Sequence, residues 1–283
     1  MVSAQDLLKN FNNIKTLPHL EIRLSKLISD RNSTVKEFEE TIKLDPTLVL
    51  RLLQLVNSAY YGLQQTVNSI SRAVVFIGMK KLRNMVITEA LKGIFKKSKH
   101  EDVFSRNKLW LHCQVVSICG QMISERIFEK NGEDAFLCGI LHDVGMIAED
   151  QVVEDLFLQA CKVYEPNSKP ITEFESEVIG TDHCEVGYLL AQEWNLSVDI
   201  QEGIRNHHYP FEELSPSSLT AIIQVAEFIA TKMDYAAIPG MIVKLPTPLA
   251  SHVRDNLNEY NALAKDLPDE IAKAKEVYEI QED

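Results

Sequence analysis

Apolar side chains recur three and four positions apart along most of this chain, the spacing that gathers them on one side of an α-helix. Leu109, His112, Val116, Cys119, Ile123 and Ile127 follow that spacing, so one helix carries a histidine on its apolar face. Met79, Leu82, Val86 and Ala90 do the same. Leu48, Val49, Leu50, Leu52, Leu53, Leu55 and Val56 leave almost no polar side, which predicts a helix buried all round.

Start and stop signals divide the chain into short helices. Thr34 and Glu37 form a capping box, Asp45 precedes Pro46 at a first helical position, and Gly62 closes that helix. Ser69 or Ser71 caps the next segment, which Gly78 interrupts. Further on, a helix from Asp134 to Asp143 is closed by Gly145, and Cys138 and Gly139 are small enough to let a neighbour approach. Thr172 and Glu175 read as a second capping box, and Asp182 caps a helix running to Trp194 with His183 in its first turn. Ser197 caps another, whose Ile200 and Ile204 share a face with His207 and His208 before Pro210. Ser215-Pro216 opens a helix carrying Ile223, Glu227 and Ala230, and two polar helices are predicted from Ser251 and from Pro268.

Composition narrows the class. Among 283 residues, 11 glycines and 10 prolines supply too little turn chemistry for a β-sandwich or barrel, so the fold class is all-α. The basic stretch from Lys92 to His100 reads as a surface connector. It divides an N-terminal helical lobe, 1–100, from a second lobe, 101–235, and a polar extension, 236–283, reads as a cap on the bundle. A net charge of −12 repels polyanions and argues against nucleic acid as a partner, while a local basic patch can still receive a small phosphorylated ligand. The longest apolar runs, such as Ala73 to Ile77, fall far short of the ~20 residues a membrane span needs. The N-terminus lacks the regions of a secretory signal. Cytoplasmic residence is expected. The five cysteines, Cys113, Cys119, Cys138, Cys161 and Cys184, show no CxxC spacing and read as reduced core thiols.

Chemistry concentrates in the second lobe. His112 and Glu227 lie on apolar helix faces, while His142, Asp143, His183, His207 and His208 lie at helix ends, where turns let neighbouring side chains converge. Imidazoles and carboxylates meeting inside a helical bundle suit a divalent cation such as zinc, iron or manganese. Successive helical residues diverge by ~100°, so His142 and Asp143 can serve one centre only where the helix ends. His112 taken alone reads more readily as a core histidine satisfied by a backbone partner than as a ligand.

DPTLVLRLLQLVNSAYYG followed by SISRAVVFIGMKKLRNMVI resembles the hallmark of the HDOD family, signalling domains related to the HD phosphohydrolase superfamily. Leu17-Pro18, FLCGILHDVG, DHCEVGYLLAQEWNL and IRNHHY extend the resemblance over roughly residues 15 to 235. It implies an HD-like helical bundle with an N-terminal helical lobe. It also implies a metal held in the order His112, His142-Asp143 and Glu227, with glutamate where aspartate is usual. His183, His207 and His208 would serve a second ion, with Asp143 bridging and with Asp143 or His183 handling protons. One or two ions of iron, manganese, zinc or nickel are the implied cofactors. Met146 stands where active relatives often carry lysine, and His208-Tyr209-Pro210 stands in place of a glycine-tyrosine-proline signature; Arg72, Lys80, Lys81 and Arg205 are the alternative cations. Asn57 and Ser58, the family hallmark, read as bonding exposed carbonyls and fixing the packing of the two lobes, and Tyr60 and Tyr61 as packing residues. The resemblance implies a bacterial regulatory or scaffolding output module acting on a signalling protein partner. Its alternatives are a metal-dependent phosphohydrolase acting on a nucleotide or cyclic dinucleotide, and a sensor that binds such a ligand uncleaved.

Overall fold

The structure, a computed structural model, describes residues 1–13, 34–43, 46–58, 61–92, 94–95, 103–166, 168–211, 213–241 and 243–278. Leu17, Pro18, Asp45, Tyr60, Lys96, Lys97 and Lys99 lie outside them. Fifteen helices occur among the described residues and no strand does. No helix among them is long and apolar enough to cross a membrane.

Four helices make the first lobe: α2 (Val35–Ile42), α3 (Pro46–Val56), α4 (Ile70–Ile77) and α5 (Met79–Lys92). The capping box forms, with Thr34 N–H donating to Glu37 Oε2 at 2.7 Å and Glu37 N–H to Thr34 Oγ1 at 3.2 Å. Ser69 caps α4 by accepting from Arg72 N–H, and Gly78, at φ 84°, separates α4 from α5. The expectation for α3 fails. Leu48, Leu52, Leu55 and Val56 are buried, but Leu50 is 59% exposed beside the exposed Arg51 and Gln54. Three neighbouring helices cover only one side of α3, so its outward leucine has nothing to pack on. The element buried on all sides is α5, where every residue from Leu82 to Thr88 is covered. Asn57 bonds the carbonyls of Leu53 and Val67 and accepts from Val67 N–H, each at 2.7–2.8 Å. It thus fastens α3 to the strand of chain before α4 rather than one lobe to the other.

The second lobe is built on α6 (Arg106–Arg126), buried nearly all round rather than along one face. Around it stand α7 (Glu133–Leu141), α8 (Val144–Val152), α9 (Glu154–Val163), α10 (Ile171–Val178), α11 (His183–Glu193), α12 (Val198–Asn206) and α13 (Leu219–Lys232). The first helix, α1 (Ala4–Asn13), packs on α8 and α11 of this lobe. The lobes meet where α5 lies on α7: Asn84 Nδ2 donates to Glu133 O and Oε2 at 2.8 and 2.9 Å, and Asp134 pairs with Lys80 and Arg83.

Two helices close the chain, α14 (Thr247–Asp255) and α15 (Leu257–Tyr278). The last begins at Leu257, and Pro268, expected to start a helix, sits inside it. An interior proline costs a helix ~3 kcal/mol or more. Here Tyr260, Leu263, Leu267, Ile271 and Ala274 keep one face buried on both sides of the proline, and α15 packs on α6. Tertiary burial overrides the local stop signal.

Gly139 permits a close helix contact in the core. A Cβ there would lie 2.5 Å from Ser117 Cα and 2.7 Å from Ser117 N, both backbone atoms of α6. Gly139→Ala should therefore lower stability by about 1–3 kcal/mol despite alanine's better helix propensity. Thermal unfolding checks this, and an unchanged melting temperature would contradict the packing described.

Candidate metal centre

The site begins at a break between two helices. α7 ends at Leu141, His142 forms its C-cap, and Asp143 is the residue before α8, with φ −100° and ψ 12°. The break lets two consecutive side chains enter one space. Gly145 does not make it, contrary to expectation, because it lies inside the first turn of α8. Its role is contact: a Cβ would come 2.0 Å from the carbonyl oxygen of His183. The missing side chain lets α8 rest directly on the start of α11, and Asp143 thereby reaches His183.

Each imidazole is anchored from behind. His112 Nδ1 faces the carbonyl of Tyr235 at 2.6 Å, His142 Nδ1 that of Gly139 at 2.8 Å, and His207 Nδ1 that of Ile204 at 2.7 Å. A ring nitrogen against a carbonyl must donate, so these acceptors place a proton on Nδ1; His112 and His207, which burial keeps neutral, then carry a lone pair on Nε2. His183, first residue of α11 behind its Asp182 cap, holds Nδ1 2.6 Å from Glu175 Oε2, which also accepts from the His183 backbone N–H.

The free ends converge in two groups. His112 Nε2 and His142 Nε2 lie 3.2 Å apart, and His183 Nε2 and His207 Nε2 lie 3.3 Å apart. Asp143 stands between them: Oδ2 is 3.5 Å from His112 Nε2 and 3.2 Å from His142 Nε2, and Oδ1 is 3.4 Å from both His183 Nε2 and His207 Nε2. Glu227 from α13 joins the first group and His208 the second, with His208 Nε2 3.6 Å from Glu227 Oε1. All seven residues the sequence singled out are thus brought together.

The donor set fits a divalent cation. The Nε2 atoms of each pair face each other at 3.2 and 3.3 Å, one ring of each pair, His142 or His183, having its pKa raised against burial by neighbouring acidic groups, and both oxygens of Asp143 and of Glu227 are buried without a hydrogen bond. Two imidazoles on one tetrahedral ion at ~2.0–2.1 Å each stand about 3.3–3.4 Å apart. Burial sets the charge states. It pushes the pKa of His112 and His207 down to about 4, His208 well below its usual range, and Glu227 up to about 8. Burial also opposes ionisation of Asp143, but His142 and its neighbours outweigh it and hold that carboxyl well below the ordinary range.

Two further acids complete the setting. Glu175, expected in a capping box with Thr172, instead lies inside α10, whose cap is Pro170, and it orients His183. Glu149 of α8 lies close to both Glu175 and His183; burial and the Glu175 charge push its pKa well up. Neither carried a spacing signal; the one hint for Glu149 is its place after the apolar Met146, Ile147 and Ala148. The cysteines are free and buried, as expected of core thiols. Of the alternative cations, Lys80 bonds Asp134 at 2.8 Å, Lys81 lies over the Tyr61 ring, and Arg205 bonds Glu185 at 3.0 Å, so Glu227 takes no arginine partner there. Met146 is fully buried. A cavity of about 250 Å³ opens at His207 and His208, and Gln224 lines it.

The fold and this centre define a helical protein of the HD-like class. The HDOD domain family matches residues 14–210, and the chain belongs to that family. An HDOD domain protein of unknown function from Geobacter sulfurreducens shares 22% identity at a TM-score of 0.72, covering 97% of this chain and 99% of that one. A Shewanella amazonensis SB2B protein provisionally named a phosphohydrolase shares 27% identity at a TM-score of 0.71, covering 96% and 97%. An uncharacterized protein of Treponema pallidum (strain Nichols) is 23% identical over 246 residues, 85% of this chain; this chain spans 47% of that relative's length.

The tautomers are directly measurable. In metal-free protein at pH 7, long-range proton–nitrogen correlation spectra should show His112 and His207 neutral, with the proton on Nδ1, and unchanged on acidification until about pH 4. A proton on Nε2 of either ring would mean that its anchoring carbonyl is wrongly identified.

Proposed function

We propose that this HDOD protein is a metal-dependent phosphohydrolase with a two-ion centre. One observation carries the reading: Asp143 presents each of its oxygens to a different histidine pair, with no hydrogen bond to either. His112, His142 and Glu227 would hold one ion and His183, His207 and His208 the other, with Asp143 shared. The provisional name of the Shewanella amazonensis protein agrees with this class. Bound ions would lower the pKa of a water towards ~7 and offset charge on phosphoryl oxygens, which removes the need for a side-chain cation at Met146.

The chain's own groups set the stage. Carbonyls of Tyr235, Gly139 and Ile204 keep three imidazoles in the ligating tautomer, and Glu175 does so for His183. In this reading both oxygens of Asp143 and both nitrogens of His183 are engaged in holding and orienting, so their role is ligation rather than proton transfer. Glu227 would give up its proton on holding an ion, since burial raises that carboxyl's pKa to about 8 in the metal-free protein.

A second reading, regulation of a signalling partner in a bacterial cytoplasm, is favoured by a different feature. Val75 and Phe76, inside the motif SISRAVVFIG, are 82% and 45% exposed on α4. Apolar side chains left bare on a helix are a usual ground for protein contact.

Elemental analysis of chain purified without chelator tests the centre. Two ions of iron, manganese, zinc or nickel are expected per chain, with Asp143→Ala losing both and His112→Ala retaining one. Chelator should lower the melting temperature, since an ion at a hundred times its dissociation constant stabilises by about 2.7 kcal/mol. Hydrolysis of a chromogenic phosphodiester should require the metal and vanish in Asp143→Ala. Metal-free chain that is indifferent to added Mn²⁺, Fe²⁺ and Zn²⁺ would overturn the reading.

A further inference from the structure

We infer that the cavity above His207 and His208 receives one nucleoside monophosphate unit, and not a cyclic dinucleotide. This rests on the phosphohydrolase reading and names its substrate class. Size decides first. Pockets that enclose drug-sized ligands run to roughly 300–1,000 Å³, and this one, at about 250 Å³, lies below that range. A cyclic dinucleotide has two bases, two sugars and two phosphates, twice the bulk of a single nucleotide, so its second half would have to lie outside this volume, without the buried contacts described below.

The lining assigns a place to each part of that unit. His207 and His208, which belong to the Asp143 cluster, form one end and mark where the phosphate sits. Tyr164, Tyr209, Met241 and Val243 form planar and apolar walls suited to a base. Gln224 is the telling residue. Its amide nitrogen is committed to the carbonyls of Asn206 and Tyr209 at 2.9 and 2.8 Å, which fixes the orientation of the side chain. Its Oε1, in a residue only 2% exposed, has no hydrogen bond. A fixed, buried acceptor on a cavity wall calls for a donor on the ligand, and a sugar hydroxyl or a base amine supplies one.

Charge points the same way. The chain as a whole carries −12, yet Lys169 and Lys244 both line the cavity. Lys169 is taken by Glu177, whereas Lys244 is exposed and forms no ion pair among the described residues. Met241, Val243 and Lys244 lie beyond residue 210, where the family match ends.

The test is calorimetric titration of the full-length, Mn²⁺-loaded chain with AMP, GMP, CMP, UMP, cyclic di-GMP, cyclic di-AMP and inorganic phosphate. At least one monophosphate is expected to bind tenfold or more tightly than phosphate and than either cyclic dinucleotide. Val243→Trp, which fills the cavity, should erase that preference while phosphate binding and metal content persist. Lys244→Glu, a surface change, should weaken the monophosphate several-fold. Equal or tighter binding of a cyclic dinucleotide overturns the inference, as does a preference that survives both substitutions. Metal content of the same samples separates the two claims: ions present with no monophosphate preferred over phosphate sinks this inference alone, and ions absent with nothing bound sinks both.

Discussion

A carboxylate buried away from water without a donor is costly by several kcal/mol, and only opposite charge or hydrogen bonds offset that cost. Asp143 is such a group, fully enclosed and faced by the Nε2 atoms of four imidazoles. Much of the second lobe follows from it. α6, α11, α12 and α13 each deliver a residue to its surroundings, and the α7–α8 break delivers His142 and Asp143 themselves. The carbonyls that hold Nδ1 of His112, His142 and His207 keep those rings from turning, and Glu175 does the same for His183. Buried carboxylates and imidazoles whose free ends converge in this way could hold a cation.

The same logic explains why small residues matter at particular positions. Gly139 brings α7 against the α6 backbone, and Gly145 brings α8 against the carbonyl of His183. These contacts set the two ends of the break that carries His142 and Asp143. α7 also reaches the other lobe, since Glu133 and Asp134 at its start bond Asn84, Lys80 and Arg83 of α5. One nine-residue helix, about 13 Å long, therefore has the lobe interface at one end and the candidate centre at the other.

How much of this was legible depended on whether local rules had a rival. The candidate set was readable because a histidine or acid in an apolar run or at a helix end is chemically out of place, and five histidines with Asp143 and Glu227 pointed to one centre. Caps at Thr34, Ser69 and Asp182 were readable for the same local reason. Glu175 was not: Thr172 three residues before it satisfies the capping-box pattern, and only the fold shows that Pro170 starts the helix and that Glu175 turns inward to His183. Leu50 misled because periodicity reports apolar character and not how many neighbours a lobe can supply. Pro268 misled in the opposite sense, its stop signal overruled by a buried seam from Tyr260 to Ala274.

Glu227 shows how a departure from a family pattern can be absorbed. It lies beyond the residues the family match covers, and it carries one methylene more than the aspartate the resemblance led us to expect there. Its carboxylate lies within reach of His142 and His208. Gln224, one turn earlier on the same helix, lines the cavity. Helix α13 thus places one residue in the candidate centre and another on the wall of the cavity beside it, so a ligand that reached Gln224 would lie next to the cluster.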